Sequence, residues 1–149
     1  MTVRTAAGAT IGISATAPTT FNKTGWEAAT FTSIGEITDL GDFGREYAKV
    51  EHKPLASRAT QKRKGSYDEG AISLGLGLDN KDAGQILLKT ASQSDNDYYF
   101  CITLQSGDKY FFPAQVMSFK TNIGSVDNIV NASVTLEITG TGVFEDLVP

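Results

Sequence analysis

Cysteine, histidine and tryptophan each occur once in these 149 residues, and methionine only twice. A lone cysteine, Cys101, leaves no partner for an internal disulfide, and synthesis in a reducing cytoplasm is expected. One histidine, His52, and one cysteine fall short of the clustered ligands of a zinc site. No nucleophile motif accompanies His52, so no catalytic triad is spelled out. Asp95-Asn96-Asp97 lacks the glycine and glutamate of a calcium loop. Gly75-Leu76-Gly77 and Gly140-Thr141-Gly142 lack the lysine and following helix of a phosphate loop. Carboxylates are plentiful, but no spacing picks out a glycosidase pair. No apolar run approaches the length of a membrane helix. Met1-Thr2-Val3-Arg4 leads into small polar residues, so neither a secretory leader nor a membrane partner is expected. No catalytic residue, metal or cofactor is expected, and a structural or binding role remains.

What is present is glycine, threonine, serine and short bursts of β-branched and aromatic residues, a β-rich signature. Residues 9–15 read as a first strand, 17–25 as a loop with Phe21 and Trp26 as packing anchors, and 29–40 as one strand bulged near Gly35. Ile72, Leu74, Leu76 and Leu78 alternate with Ser73, Gly75 and Gly77, which is a half-buried strand whose two glycines invite a close approach. Residues 79–92 change period. Ala83, Ile86, Leu87 and Ala91 fall at helical spacing, Asp79 or Asn80 is the expected cap, and Asp82 suits the first turn. Residues 97–104 and 109–122 form a hairpin about Ser106-Gly107, with Pro113 weakening the ladder or marking an edge. Val130, Ala132, Val134, Leu136 and Ile138 face in along the last long strand, while Asn131, Ser133, Thr135, Glu137 and Thr139 face out. Val143 and Phe144 dock a short tail. The expected fold is mainly β: a β-sandwich or open β-barrel of about seven strands, one flanking α-helix and a long extended loop, in one domain over residues 1–149.

The net charge of −4 is unevenly laid out. Residues 1–44 carry −2 and residues 69–149 carry −6, whereas residues 45–68 carry +4. The basic side chains there are Arg45, Lys49, Lys53, Arg58, Lys62, Arg63 and Lys64. Such asymmetry concerns partners. The segment reads as two strand-like arms joined by an exposed loop. An acidic surface on another subunit, nucleic acid, and plain solvent all fit it, although no aromatic-interleaved reading motif is present.

The order of these pieces resembles the major tail tube proteins of siphophages, the lambda type included. The matching phrases are Gly8-Ala9-Thr10-Ile11-Gly12-Ile13, Ile37-Thr38-Asp39-Leu40-Gly41, the long polar loop, and Gly70-Ala71-Ile72-Ser73-Leu74. The helix from Asp82 to Ala91, the hairpin from Tyr98 to Phe112 and the close from Val116 to Gly142 complete it, so that it covers about residues 7–145. Lambda-type members add an immunoglobulin-like domain for which this sequence shows no counterpart. The resemblance implies hexameric rings stacked into a non-contractile tail tube in the virion, assembled in the host cytoplasm and used for DNA ejection. The loop at about 42–66 would reach the neighbouring ring. Tape-measure protein, tail terminator and distal tail or baseplate proteins would be its partners, and double-stranded DNA would pass without specific binding. Asn131, Ser133, Thr135, Glu137 and Thr139 are the candidate lumen lining, and an acidic lining would repel phosphate. A tube protein of a contractile tail or a type VI secretion-like system remains an alternative. So does a β-sandwich ligand-binding module using Trp26, Tyr99 and Tyr110.

Overall fold

A computed structural model of the chain describes residue 3 and residues 5–147. The period-two segments become strands: β1 (Thr10–Ser14), β6 (Ala71–Gly77), β7 (Tyr98–Thr103), β8 (Lys109–Asn122) and β9 (Asn131–Ile138). Between them lie α1 (Lys23–Ala28), β2 (Thr32–Ser33), β3 (Ile37–Asp39), β4 (Glu46–His52), β5 (Gln61–Asp68), α2 (Ala83–Ser92) and β10 (Phe144–Asp146). Eight strands make one antiparallel sheet in the order β2-β1-β7-β8-β9-β6-β3, with β10 beside β8. Among the described residues, β4 and β5 pair only with each other. No helix among the described residues is long and apolar enough to cross a membrane.

The sheet curls. The expected single strand over 29–40 is instead two short strands, β2 and β3, at opposite edges of the sheet. Only Ile34-Gly35-Glu36 separates them, so the two edges are drawn together into an open barrel. The break lies at Glu36, which adopts a left-handed φ of 62° that a strand does not allow. Helix α2 closes this seam. Gln85, 2 % exposed, donates its side-chain amide to the carbonyls of Gly35 and Gly77, both at 2.9 Å, and accepts from the Asp79 amide at 2.9 Å. Asp82 is the N-cap, in place of Asp79 or Asn80. It accepts from the amides of Gln85 and Gly35, each at 3.0 Å. Gly84, Gln85, Leu88 and Ala91 are buried, while Ile86 is 51 % exposed, so the helix is turned away from the face its apolar spacing predicts. The polar stitch, not apolar periodicity, fixes its rotation. Gln85→Ala strands two carbonyls and one amide, and a loss of about 3 kcal/mol is expected in chemical denaturation.

Inside the curl, Ile13, Ile72, Leu76, Phe100, Phe112 and Leu136 are fully buried. Phe100 stacks on Phe112 with centroids 5.4 Å apart. Each such side chain contributes roughly 1.5–3 kcal/mol by leaving water. Outside the curl lies a second, smaller cluster of Trp26, Cys101 and Phe111, edged by Phe31, Tyr99 and Phe144. Trp26 rides on α1, a stretch read as loop from sequence, whose N-cap Asn22 accepts from the Gly25 amide at 3.0 Å. Pro113 is not at a sheet edge. It lies in mid-β8, where β10 covers residues 109–111 and β9 takes over from Ala114. Its missing N–H falls at that handover, and its carbonyl accepts from the Thr139 amide at 3.0 Å.

Candidate assembly surfaces

The basic segment folds as a β-ribbon. β4 and β5 form an arm that joins the barrel at Gly44 and Gly70, and all but Gly65 of their residues are exposed. The long loop expected over about 42–66 is therefore mostly strand, with residues 53–60 as its tip. All seven basic residues ride on it: Arg45 at the root, Lys49 on β4, Lys53 and Arg58 at the tip, and Lys62, Arg63 and Lys64 on β5. The register pairs Tyr47 with Tyr67, Lys49 with Lys64 and Glu51 with Lys62 on one face, leaving Val50 and Arg63 on the other.

The root of the arm is braced. Arg45 donates to Glu69 Oε1 at 2.7 Å and to Tyr47 Oη at 3.3 Å, and its guanidinium lies 4.0 Å from the Tyr67 ring centre. These hydrogen bonds, to Tyr47 first and Glu69 second, push the Arg45 pKa up. Tyr47 meets Tyr67 edge to face at 5.5 Å, and the Lys64 ammonium sits 4.6 Å over Tyr47. Lys49 pairs with Glu51 at 3.0 Å. Lys53, Arg58, Lys62 and Arg63 have no ion pair among the described residues. A two-stranded ribbon with both faces wet is marginal alone. The brace fixes its root, and the remaining surface is open to a partner. Arginine and lysine were legible as charge, but the Tyr47–Tyr67 pair that organises them was not, because its members lie twenty residues apart.

The second surface is the outward face of β9. Asn131, Ser133 and Glu137 are exposed and Thr135 is half-buried, as the alternation predicts, and Thr139 follows just past the strand end. Neighbouring rows extend the face. Gly77, Gly75, Ser73 and Ala71 flank it on β6, and Asn122, Lys120, Ser118 and Gln115 on β8. The patch is hydroxyl, amide and glycine, with Lys120 offsetting Glu137. Carboxylates border it: Asp39 and Glu36 lie beside Gly75 and Gly77, and Asp97 accepts from the Gln115 side chain at 3.0 Å. Gly75 and Gly77 do meet close neighbours: Thr38 Oγ1 of β3 lies 3.3 Å from a Cβ built on Gly75, and Glu36, just before β3, lies against Gly77.

The aromatic platform of a ligand-binding module is not assembled. Trp26 is 1 % exposed in the outer cluster, whereas Tyr110 lies on the other face of the sheet against Phe43 at 5.4 Å. His52 ends β4, exposed. Among the described residues no three of His, Cys, Asp or Glu come together as a metal site. Cys101 packs as a small apolar side chain, and burial pushes its thiol pKa up. Cys101 is expected to resist a thiol reagent in the native protein and to react fully on unfolding, as absorbance of the released chromophore would record.

By sequence, no protein-family model and no characterised protein matches the chain. Solved structures do match. The tail of an empty gene transfer agent particle, refined with C6 symmetry, superposes with a TM-score of 0.67 at 12% identity, over 93% of this chain and 95% of that one. The SPP1 tail tube gives 0.63 at 14%, over 93% and 76%. The sheath/tube terminator of an extracellular contractile injection system gives 0.63 at 12%, over 93% of each.

The chain has a tail-tube fold.

At such identity the likeness is one of backbone. In this chain that fold is an open barrel sealed by α2, with an arm that leaves it.

Proposed function

We propose that this chain is the subunit of a tail tube. Six copies close into a ring, rings stack, and the tube conducts double-stranded DNA into the host at ejection. The observation that carries the reading is the β4–β5 arm on a tail-tube fold: a basic ribbon whose strands, among the described residues, pair only with each other. The arm, with Arg45, Lys49, Lys53, Arg58, Lys62, Arg63 and Lys64, contacts the adjacent ring. The rest of the chain is acidic, so a second copy offers the complementary charge.

The face of Asn131, Ser133, Thr135, Glu137 and Thr139 lines the channel. Its lack of net positive charge serves passage: it releases no counterions from DNA and does not hold it. Tape-measure protein fills the channel before DNA. Terminator and distal tail or baseplate proteins cap the ends of the tube. The role is structural, without catalysis, in a virion tail assembled in the host cytoplasm. The tail is non-contractile and of the lambda type, in line with the sequence resemblance. A contractile injection tube is the second reading, favoured by the likeness to the sheath/tube terminator.

Negative-stain microscopy of the concentrated, purified chain tests the proposal. Rings or tubes are expected. Compact monomers alone, under conditions that assemble tail tubes, would contradict it.

A further inference from the structure

Strands β6 and β9 run side by side the length of the barrel. At one end Ile138 donates to the Gly70 carbonyl at 3.0 Å, beside the root of the arm. At the other end Gly77 pairs with Asn131, Leu78 donates to the Val130 carbonyl at 3.0 Å, and Gly77 donates to the Glu36 carbonyl at 2.8 Å. The β8–β9 turn closes that far end. Its Ile123, Val126 and Ile129 are 68%, 97% and 81% exposed. Three bare β-branched side chains on one turn are unusual for a surface that stays in water. The segments at this end, residues 36, 77–82 and 120–131, hold Glu36, Asp79, Asp82 and Asp127 against Lys81 and Lys120, a net acidic balance.

The arm is the counterpart in both respects. Its tip is the turn from Pro54 to Ser57, closed by a bond of 3.3 Å and crowned by a fully exposed Leu55. Lys53 and Arg58 flank that leucine. One end of the β6–β9 pair thus carries an arm with an apolar tip flanked by cations, and the other an apolar turn on a net acidic edge. Complementary patches at opposite ends of one subunit make a head-to-tail contact, which propagates as an open polymer.

Resting on the tube reading above, we infer that the acceptor of the arm is the β8–β9 turn of a second copy in the adjoining ring. Leu55 packs among Ile123, Val126 and Ile129, and the arm's cations face Glu36, Asp79 and Asp127.

The test uses two full-length variants. K62E/R63E/K64E carries an acidic arm, and E36K/D79K/D127K carries a basic acceptor. Neither alone is expected to form tubes, because like charges meet. An equimolar mixture is expected to form them, because each arm then finds an opposite acceptor. Far-ultraviolet circular dichroism checks that both variants are folded. As a second measurement, L55C and V126C chains are assembled together and oxidised. A covalent dimer is expected from the mixture and not from either variant alone. Parent tubes with neither rescue nor cross-link would overturn this acceptor while leaving the tube reading standing. Failure of the parent chain to form rings or tubes would overturn both.

Discussion

Reversing Lys62, Arg63 and Lys64 to glutamate is expected to abolish tube formation and to leave the subunit folded. The three reversals, each worth two charge units, take residues 45–68 from +4 to −2. All three side chains are exposed, on a ribbon outside the main sheet, so the barrel core does not register the change. Within the subunit the reversal takes the Lys64 ammonium away from the Tyr47 ring, at a cost of about 0.5–1 kcal/mol for an exposed site. At an interface the sum is different. A single exposed ion pair is worth only about 0.2–1 kcal/mol, yet a ring multiplies each pair by the number of its subunits. Repulsion multiplies in the same way. Sedimentation velocity reads the result: a polymer boundary for the parent, a slow boundary for the variant, and closely similar unfolding midpoints. Added salt acts in the same direction on the parent, since screening weakens attraction between exposed charges. A variant that polymerises to the parent's length and yield would remove the arm's cations from the interface.

Gly84→Ala is expected to destabilise the barrel by more than about 3 kcal/mol, against the helix-propensity expectation of a gain of about 1 kcal/mol. The reason is the seam. A Cβ at Gly84 would fall 2.6 Å from the Ile34 Cα and still closer to the Ser33 carbonyl oxygen. Both are backbone atoms, one at the end of β2 and one in the link to β3, so no side-chain rotation relieves the clash. Accommodating the methyl lifts α2 and pulls Gln85 from the carbonyls of Gly35 and Gly77. Two penalties then act together, overpacking and stranded polar groups. Ile86→Ala, two positions along the same helix, is the control. Ile86 is half exposed, and its replacement should cost less than about 1 kcal/mol. Urea denaturation of the two variants separates them. A Gly84→Ala protein as stable as the parent would refute the account of the seam.

These two cases mark what a sequence reveals here. β6 and β9 were legible because each buries one face, which writes period two directly into the residues. The face of α2 was not, because its burial is set by Gly84 against Ser33 and Ile34 and by Gln85 bonded to Gly35, all about fifty residues away. The split of residues 29–40 into two edge strands depends on how far the sheet curls, which no local pattern records. The basic arm was visible as charge, and its two strand-like halves were legible on either side of Pro54. The exposure of Ile123, Val126 and Ile129 was not legible, because it depends on where β8 ends and β9 begins.

Helical reconstruction by cryo-electron microscopy of tubes grown from the pure chain tests the central claim most directly. The account predicts a channel lined by the β9 face from Asn131 to Thr139, and arms of residues 45–68 crossing each ring boundary. A channel lined by another face, or arms lying wholly within their own ring, would contradict it.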